Sequence, residues 1–373
     1  MEQVKEYLSE SIYEIRTGEK LLCFGDVHGD MRVFMAILRR ILNPSIYVPL
    51  KAHVEECKEK MKSVNPVFVS NCFNLGNVFK DPGAHVVFHG DLVDSKRDFN
   101  ANGKLHGYHF ADVTIVYILY NLVTKEKEKA HVCIGNHEMM SFFDVSPHMR
   151  EELDPQRKSS FFKLLKKFLK HCRPAHVFKS NGRYIGCCHG GFEQDFVESL
   201  VNPSALVKDR ELRIRLQLTA IRHVYMMLLG NPYDASLLFQ KDPSTYTDLY
   251  QNARQSEFPD WSRRNTQPRD KRNYWPSIDI QVVGHTILNE HHFTVRNLEG
   301  EHKKIFIDTG MSAAFRPEDD VQSIKYLMFE TQGTTLHAVE VNESIENISG
   351  PVGVTLFQMK GQSFSRQLAF NPL

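Results

Sequence analysis

The segment Leu21-Leu22-Cys23-Phe24-Gly25-Asp26-Val27-His28-Gly29-Asp30 joins a short apolar run to a group of polar residues, and it is the strongest structural signal in this chain. Its first four residues are apolar and are typical of a buried strand, and the glycine that follows permits a sharp turn. The carboxylate of Asp26 and the imidazole of His28 then come at the carboxyl end of that strand. Because ligands bind at this end of the strands in open α/β sheets, the segment predicts a functional site.

Four later segments repeat this arrangement, and each follows a short apolar run that we expect to form a strand. They are Gly90-Asp91-Leu92-Val93-Asp94, Gly135-Asn136-His137-Glu138, His189-Gly190-Gly191 and Gly284-His285-Thr286. Helical patterns over residues 33–42 and 113–122 lie between the strands. This alternation predicts an α/β fold, an α-β-β-α sandwich of two mixed sheets flanked by helices, with the site at the strand carboxyl ends.

The length of 373 residues and a hydrophobic fraction of 42% allow a substantial core. We expect a single domain over residues 1–373 with insertions at 43–81, 96–109 and 193–279. Apolar runs at residues 304–307, 324–330, 335–341 and 352–359 predict further strands, which we expect to form a second sheet that closes the sandwich.

Charge and cysteine content indicate the compartment and the partners. A formal net charge of +1 gives no reason to expect a nucleic-acid partner. Seven cysteines without a paired framework favour reduced thiols, and we expect Cys187 and Cys188 to pack as small apolar residues. The first residues carry alternating charge, and no run of ~18 apolar residues occurs, so we expect a cytoplasmic protein without a membrane anchor.

The side chains at the strand ends suit a pair of divalent metal ions. Carboxylate oxygen and imidazole nitrogen are ligands of transition metals, and two ions can share one carboxylate. Asp91 is the natural bridge. We expect one ion to be held by Asp26, His28 and Asp91, and the other by Asp91, Asn136, His189 and His285. The donor set suits manganese, iron and zinc alike, and manganese is the ion we expect first.

The five segments resemble the signature of the calcineurin-like metallophosphoesterases. The Gly-Asn-His-Glu and His-Gly-Gly pieces resemble the phosphoprotein phosphatase branch. The first segment, Val-Val-Gly-His-Thr at residues 282–286 and Ile307-Asp308-Thr309-Gly310-Met311-Ser312 are similar to the bacterial-like, Shewanella-like serine/threonine phosphatases. The resemblance covers roughly residues 20 to 315. It implies the calcineurin-like fold, a dinuclear centre and the same six metal ligands.

The resemblance also implies a pair of catalytic residues. His137 matches the family's histidine that protonates the leaving alcohol, and Asp94 matches the aspartate that orients this histidine. Histidine suits the role because it titrates near neutral pH. Asn136 would also contact a phosphate oxygen.

The phosphate-binding residues depart from the family pattern at one place. The family has Arg-Gly after its Gly-Asp-x-Val-Asp segment, whereas Ser95-Lys96-Arg97 follows here. An arginine can clamp a phosphate with two parallel hydrogen bonds, and a lysine cannot reproduce that geometry. Lys96 or Arg97 is the candidate replacement. Trp261-Ser262-Arg263-Arg264 resembles the family's Trp-x-Arg segment, which makes Arg263 the first candidate for a second phosphate ligand and Arg264 the reserve.

The expected function is hydrolysis of phosphomonoesters by a metal-bridging hydroxide, with phosphoserine or phosphothreonine in proteins as the first substrate. The partner is then a phosphorylated protein or a small phosphorylated substrate. Two alternatives remain: a hydrolase of dinucleoside polyphosphates or other phosphodiesters, and a catalytically weak phosphatase-like binding protein.

Three further polar residues near the motifs have alternative interpretations. Asp30 either orients a ligating histidine or caps the helix that begins near Met31. Asp308 either belongs to the metal site or makes a turn at a strand end. Alternation along its strand predicts that His89 points away from Asp91.

Overall fold

A computed structural model describes residues 12–93, 110–142, 155–192, 197, 209–229, 274–298, 301–311, 323–345 and 351–360. These ranges contain twelve strands and seven helices.

Two mixed sheets of six strands each form the centre of the molecule. The first sheet has the order β1-β5-β6-β7-β9-β8 and the second has the order β12-β11-β10-β2-β3-β4. The strands are β1 Ile12–Glu14, β2 Lys20–Phe24, β3 Ala84–Phe88, β4 Ala130–Val132, β5 Ala175–Ser180, β6 Arg183–Cys188, β7 Ile280–Val283, β8 Thr294–Asn297, β9 Lys303–Phe306, β10 Ser323–Gln332, β11 Thr335–Ser344 and β12 Val352–Lys360.

Seven helices of the described residues accompany these sheets. They are α1 Met31–Ile41, α2 Pro44–Glu59, α3 Pro66–Cys72, α4 Ala111–Lys125, α5 Asn136–Phe142, α6 Pro155–Leu169 and α7 Arg210–Leu229. None of these helices combines the length and apolar character that a membrane crossing needs.

The core has two layers because side chains alternate along each strand. On β2, Leu21 and Cys23 belong to a cluster with residues of the opposite sheet such as Ile185. Leu22 and Phe24 belong to a larger cluster that includes helix residues. One cluster therefore lies between the sheets and the other between sheet and helices, and the predicted α-β-β-α sandwich is confirmed.

The expected division of strands between the sheets is wrong. The C-terminal strands do not form a sheet of their own, because β10 pairs antiparallel with β2 and so extends the sheet of β2, β3 and β4. β9 instead lies parallel to β7 in the first sheet. The first three motif strands therefore belong to one sheet, whereas β6 and β7 belong to the other.

Residues 43–81, predicted to be an insertion, form α2 and α3. Each helix has proline at its start and an asparagine N-cap, an arrangement that satisfies exposed backbone N–H groups at a helix start. Ile46, Leu50 and Val69 are fully buried in the core cluster that lies between sheet and helices. The segment therefore contributes to the same core as the motif helices.

Candidate functional site

The six predicted ligand residues come together at the carboxyl ends of five strands. Asp26 and His28 follow β2, Asp91 follows β3, and Asn136 begins α5 after β4. From the opposite sheet, His189 follows β6 and His285 follows β7. Five of the six residues are buried, and His285 is partly buried. The six residues therefore lie together at one edge of the two sheets.

The carboxylate of Asp91 lies at the centre of this group. Its Oδ2 atom is 3.9 Å from Nε2 of His28, 3.8 Å from Nε2 of His137 and 3.3 Å from Nε2 of His189. Two ligand atoms that share one ion at ~2.1 Å are ~3.0–3.4 Å apart for the usual coordination angles. The separation from His189 falls in this range, and those from His28 and His137 are longer, so the Asp91 carboxylate lies between imidazoles on two sides, as a bridging ligand would.

A second set of donor atoms surrounds Nε2 of His189. This atom is 3.0 Å from Oδ1 of Asn136 and 3.0 Å from Nδ1 of His285. Nδ1 of His189 lies 2.7 Å from the backbone carbonyl of His89, which can only accept, so Nδ1 donates and Nε2 is the ring nitrogen that faces the site. Metal-binding histidines characteristically donate their second N–H in this way.

The donor set fits divalent transition metal ions. Nε2 of His189 faces oxygen and nitrogen atoms that carry lone pairs. A cation or a proton held between these atoms stabilises the arrangement. The amide of Asn136 has its oxygen toward these atoms, as a metal requires. If the amide were turned, its nitrogen would instead donate to Asp91 and His285. The predicted pair of ions could be held by the six predicted residues.

The pKa values of the buried carboxyl and imidazole groups also indicate a site that suits a cation. Burial raises the pKa of Asp26 well above its usual value, and the neighbouring Asp308 carboxyl adds to this effect. Burial would also raise the pKa of Asp91, but the imidazoles of His189 and His137 hold it well below its usual range. Although burial opposes it, Asp91 and Asp26 raise the pKa of His189 to about 10. Positive charge therefore stabilises the ionised form of the buried carboxyl groups.

Backbone strain is concentrated at the same residues. His28, Asp91 and His285 have φ values of 46°, 48° and 65°. These values lie in the left-handed region that residues other than glycine avoid. Among the described non-glycine residues only Met61 and Asn181 share this conformation. Such strain costs ~1–3 kcal/mol per residue and persists where the surrounding structure enforces it.

Close packing explains two of the motif glycines. A Cβ atom on Gly90 would come within 2.6 Å of the Gly135 nitrogen. A Cβ atom on Gly284 would lie 2.5 Å from Oδ1 of Asp26. The absence of a side chain therefore allows the strand ends of both sheets to approach one another.

Glu138 organises the loop that carries Asp91. Its buried carboxylate accepts backbone N–H groups from Asp91 at 2.9 Å, Leu92 at 2.6 Å, Val93 at 3.2 Å and Gly135 at 2.9 Å. Glu138 stands in the third motif, and no role was predicted for it from the sequence. Its position three residues after Gly135, at the start of a helix, was the available signal.

The remaining predicted site residues divide into two groups. His137 lies in the cluster with His28 and Asp91, and its ring is 4.8 Å from that of His28. Its backbone N–H also donates to Oδ1 of Asp91 at 2.9 Å. Five predicted catalytic or phosphate-binding residues lie outside the described residues: Asp94, Lys96, Arg97, Arg263 and Arg264.

The structure resolves the alternatives for Asp30 and Asp308. The Asp30 side chain accepts the backbone N–H of Arg32 at 2.9 Å and of Val33 at 3.3 Å, so it caps α1. Asp308 accepts the N–H of Gly310 at 2.9 Å, as a strand-end turn requires. It is also buried beside Asp26, and burial raises its pKa to about 6. The turn is therefore observed, and a role of Asp308 in the metal site stays a prediction.

Comparison with known protein families gives one match. The model of the calcineurin-like phosphoesterase family matches residues 19–286 of this chain. This range contains all five segments on which the site is built. A comparison with curated proteins finds no significant match.

Similar solved structures have low sequence identity. A Saccharomyces cerevisiae protein serine/threonine phosphatase with similarity to human phosphatase PP5 is 13% identical, covers 87% of this chain and 78% of its own, and has a TM-score of 0.41. Vps29 of Chaetomium thermophilum is 10% identical, with coverages of 92% and 99% and a TM-score of 0.28. Wild-type Vps29 of Entamoeba histolytica, solved with zinc, is 13% identical, with coverages of 90% and 98% and a TM-score of 0.26.

Proposed function

The chain belongs to the calcineurin-like phosphoesterase family, and we propose that it is a metal-dependent phosphatase. Its proposed reaction is the hydrolysis of phosphomonoesters. The observation that carries the proposal is the position of Asp91, whose Oδ2 atom has three imidazole nitrogens within 3.9 Å. A dinuclear phosphohydrolase needs a carboxylate at this place, because it must hold two ions next to each other.

Each proposed ligand would have a defined task. Asp26 and His28 would complete one ion site with Asp91, while Asn136, His189 and His285 would complete the other. Two bound ions supply a water of lowered pKa and neutralise charge on the phosphoryl oxygens. Manganese is the first ion to test.

The chain's own groups would perform the remaining steps. His137 would hold a proton on its imidazole and donate it to the departing alcohol oxygen, with Asp94 orienting the ring. The amide of Asn136 would contact a phosphate oxygen, and Arg263 would neutralise another, with Arg264, Lys96 and Arg97 as the other basic candidates. No covalent bond between the protein and the phosphoryl group is required.

The substrate class rests on the motifs. Phosphoserine and phosphothreonine are proposed because the Gly-Asn-His-Glu and His-Gly-Gly segments resemble those of phosphoprotein phosphatases. The replacement of Arg-Gly by Ser95-Lys96 keeps dinucleoside polyphosphates as the second candidate, because it alters the expected phosphate clamp.

The test is a metal-defined activity assay. Protein stripped by a chelator and reloaded with Mn²⁺, Fe²⁺ or Zn²⁺ is assayed on phosphopeptides, dinucleoside polyphosphates and a phosphodiester. We expect phosphopeptide hydrolysis to require metal and to fall by more than ~10³-fold in Asp91→Asn, since loss of a shared ligand removes several kcal/mol of charge stabilisation. The exposed Asp81→Asn is the matched control. Activity that survives complete chelation, or metal-loaded protein inactive on the whole panel, would overturn the proposal.

A further inference from the structure

Three buried side chains that the proposed site does not use meet between the two sheets. Cys23 lies on β2, Cys187 lies on β6, and His89 directly follows β3. Each is 0% exposed. One ligand atom from each residue lies within 4.8 Å of the others, and the two Sγ atoms are 3.9 Å apart. Two thiols and an imidazole thus form one compact cluster, which we call the thiol cluster.

The imidazole of His89 has one satisfied nitrogen. Its Nδ1 atom is 3.0 Å from the backbone carbonyl of Cys188, and because a carbonyl only accepts, Nδ1 donates the proton. Nε2 then carries the lone pair, and within the described part of the chain no atom meets hydrogen-bond geometry with it, although the ring interacts with the Cys187 thiol. Leaving a buried polar atom without a partner costs ~1–3 kcal/mol. A ligand for this lone pair would remove that cost.

We propose that Cys23, His89 and Cys187 bind a soft metal ion of the zinc or copper(I) class, at a site distinct from the dinuclear centre. Two thiolates that bind one ion at ~2.3 Å with a tetrahedral angle are ~3.8 Å apart. The observed Sγ separation of 3.9 Å agrees with this value. Thiolate sulfur and imidazole nitrogen are also the donors that these ions prefer.

Charge and surroundings favour zinc as the first ion to test. Zn²⁺ with two thiolates and a neutral imidazole carries no net charge. That balance suits a cluster lined by apolar side chains of the inter-sheet core such as Leu21, Ile185 and Val282. The ion would replace the thiol protons, so binding releases protons to solvent.

The position of the thiol cluster gives the ion a structural task. Its two cysteines belong to opposite sheets, so the ion would link the sheets through the core. His89 also accepts the N–H of His189 through its backbone carbonyl. Fixing the His89 ring would therefore hold the residue that orients His189. The thiol cluster shares no ligand with the dinuclear centre.

Cobalt substitution tests the proposal on the full-length chain. When thiolates bind Co²⁺ they produce an intense charge-transfer band in the near ultraviolet, whereas oxygen and imidazole ligands do not. Protein expressed in cobalt-supplemented medium should show this band. Cys23→Ser and Cys187→Ser should each lose it, together with about one equivalent of metal. The buried Cys172→Ser, which lies in the other core cluster, should retain it.

The outcomes separate the site from the proposed activity. A folded wild-type protein without the band overturns the proposal whether or not the protein is active, and so does a Cys23–Cys187 disulfide detected by mass spectrometry. If the serine variants do not fold, X-ray absorption of the wild type decides, because sulfur neighbours around the metal must be present. Zinc and copper analysis of protein grown without cobalt then identifies which ion occupies the site.

Discussion

Nδ1 of His189 donates a hydrogen bond of 2.7 Å to the backbone carbonyl of His89. The two residues come from different sheets, so this bond joins the sheets directly behind the proposed metal ligands. It also fixes the tautomer of His189, whose Nε2 atom then faces Asp91, Asn136 and His285. The ring is therefore oriented before any ion binds.

Replacing Gly284 by alanine should weaken metal binding through steric contact alone. The added Cβ would lie 2.5 Å from Oδ1 of Asp26, so the carboxylate must move away from its present position. We expect metal affinity to fall by ~10- to 100-fold, the range seen when ligand positioning is disturbed. Isothermal titration of the stripped protein with Mn²⁺ measures the change. Gly83→Ala, whose Cβ would make only an ordinary contact of 3.4 Å, is the control and should bind as the wild type does.

The role of His137 can be separated from metal ligation by its dependence on the leaving group. His137→Gln should lower kcat by ~10²–10⁴-fold on alkyl phosphates, because an alkoxide needs a proton to depart. The loss should be much smaller on p-nitrophenyl phosphate, whose leaving group is stable without protonation. Metal content should stay unchanged. Equal losses on both substrates together with loss of metal would instead identify His137 as a ligand.

The Glu138→Gln substitution should destabilise the fold and the site together. A glutamine side chain presents one N–H₂ group to backbone N–H donors, so about two of the four hydrogen bonds are lost. Hydrogen bonds to a charged group contribute ~1.5–3 kcal/mol each, which predicts a decrease of about 3 to 6 kcal/mol in the free energy of unfolding. Urea denaturation measures this decrease, and metal titration should show weaker binding.

A matched control is available in β11. Glu340 is also a buried glutamate that accepts a backbone N–H, from Phe293 at 2.9 Å. Glu340→Gln should lower stability but leave metal affinity unchanged. If Glu138→Gln binds metal as tightly as the wild type, the loop of Asp91 does not depend on this carboxylate.

His176 should make the protein less stable in mild acid. Burial lowers the pKa of its imidazole to about 3 in the folded protein, while the unfolded chain has a value of ~6.5. The unfolded state therefore binds the proton first, and stability decreases as pH falls from 6.5 toward 3, by up to ~1.4 kcal/mol per pH unit. Between pH 7 and 5, the wild type should lose about 2 kcal/mol more than His176→Gln.

Urea denaturation at both pH values measures this difference. His291→Gln changes an exposed histidine. It leaves intact His176 and the buried ring of His131, whose centroid lies 4.9 Å from that of His176, so it should follow the wild type. A His176→Gln protein with the same pH dependence as the wild type would contradict the assignment.

Local sequence patterns predicted the strands and the convergence of the site. An apolar run that ends in Gly-Asp, Gly-Asn or Gly-His predicts a strand whose polar residues follow at its carboxyl end. Asp26, Asp91 and His285 could therefore be placed at one edge from sequence alone. Short continuous apolar runs that end at a glycine carried this information, since these strands are buried on both faces.

The division between sheets could not be predicted in the same way. A buried strand such as β2 has the same apolar pattern whether its neighbour is β3 or β10, since both faces of the strand are covered. The pairing of Tyr326 with Phe24 is a long-range choice. Glu138 was missed for a related reason, because three of its four donors come from residues 91–93, more than forty positions earlier in the chain.

The distribution of ligands over two sheets has a consequence for the lifetime of the folded protein. Asp26 and Asp91 belong to one sheet, whereas His189 and His285 belong to the other. Metal ions shared between them would have to be released before the sheets could separate. Metal occupancy would then slow unfolding itself, so the half-life of the protein at elevated temperature should increase with the concentration of free metal.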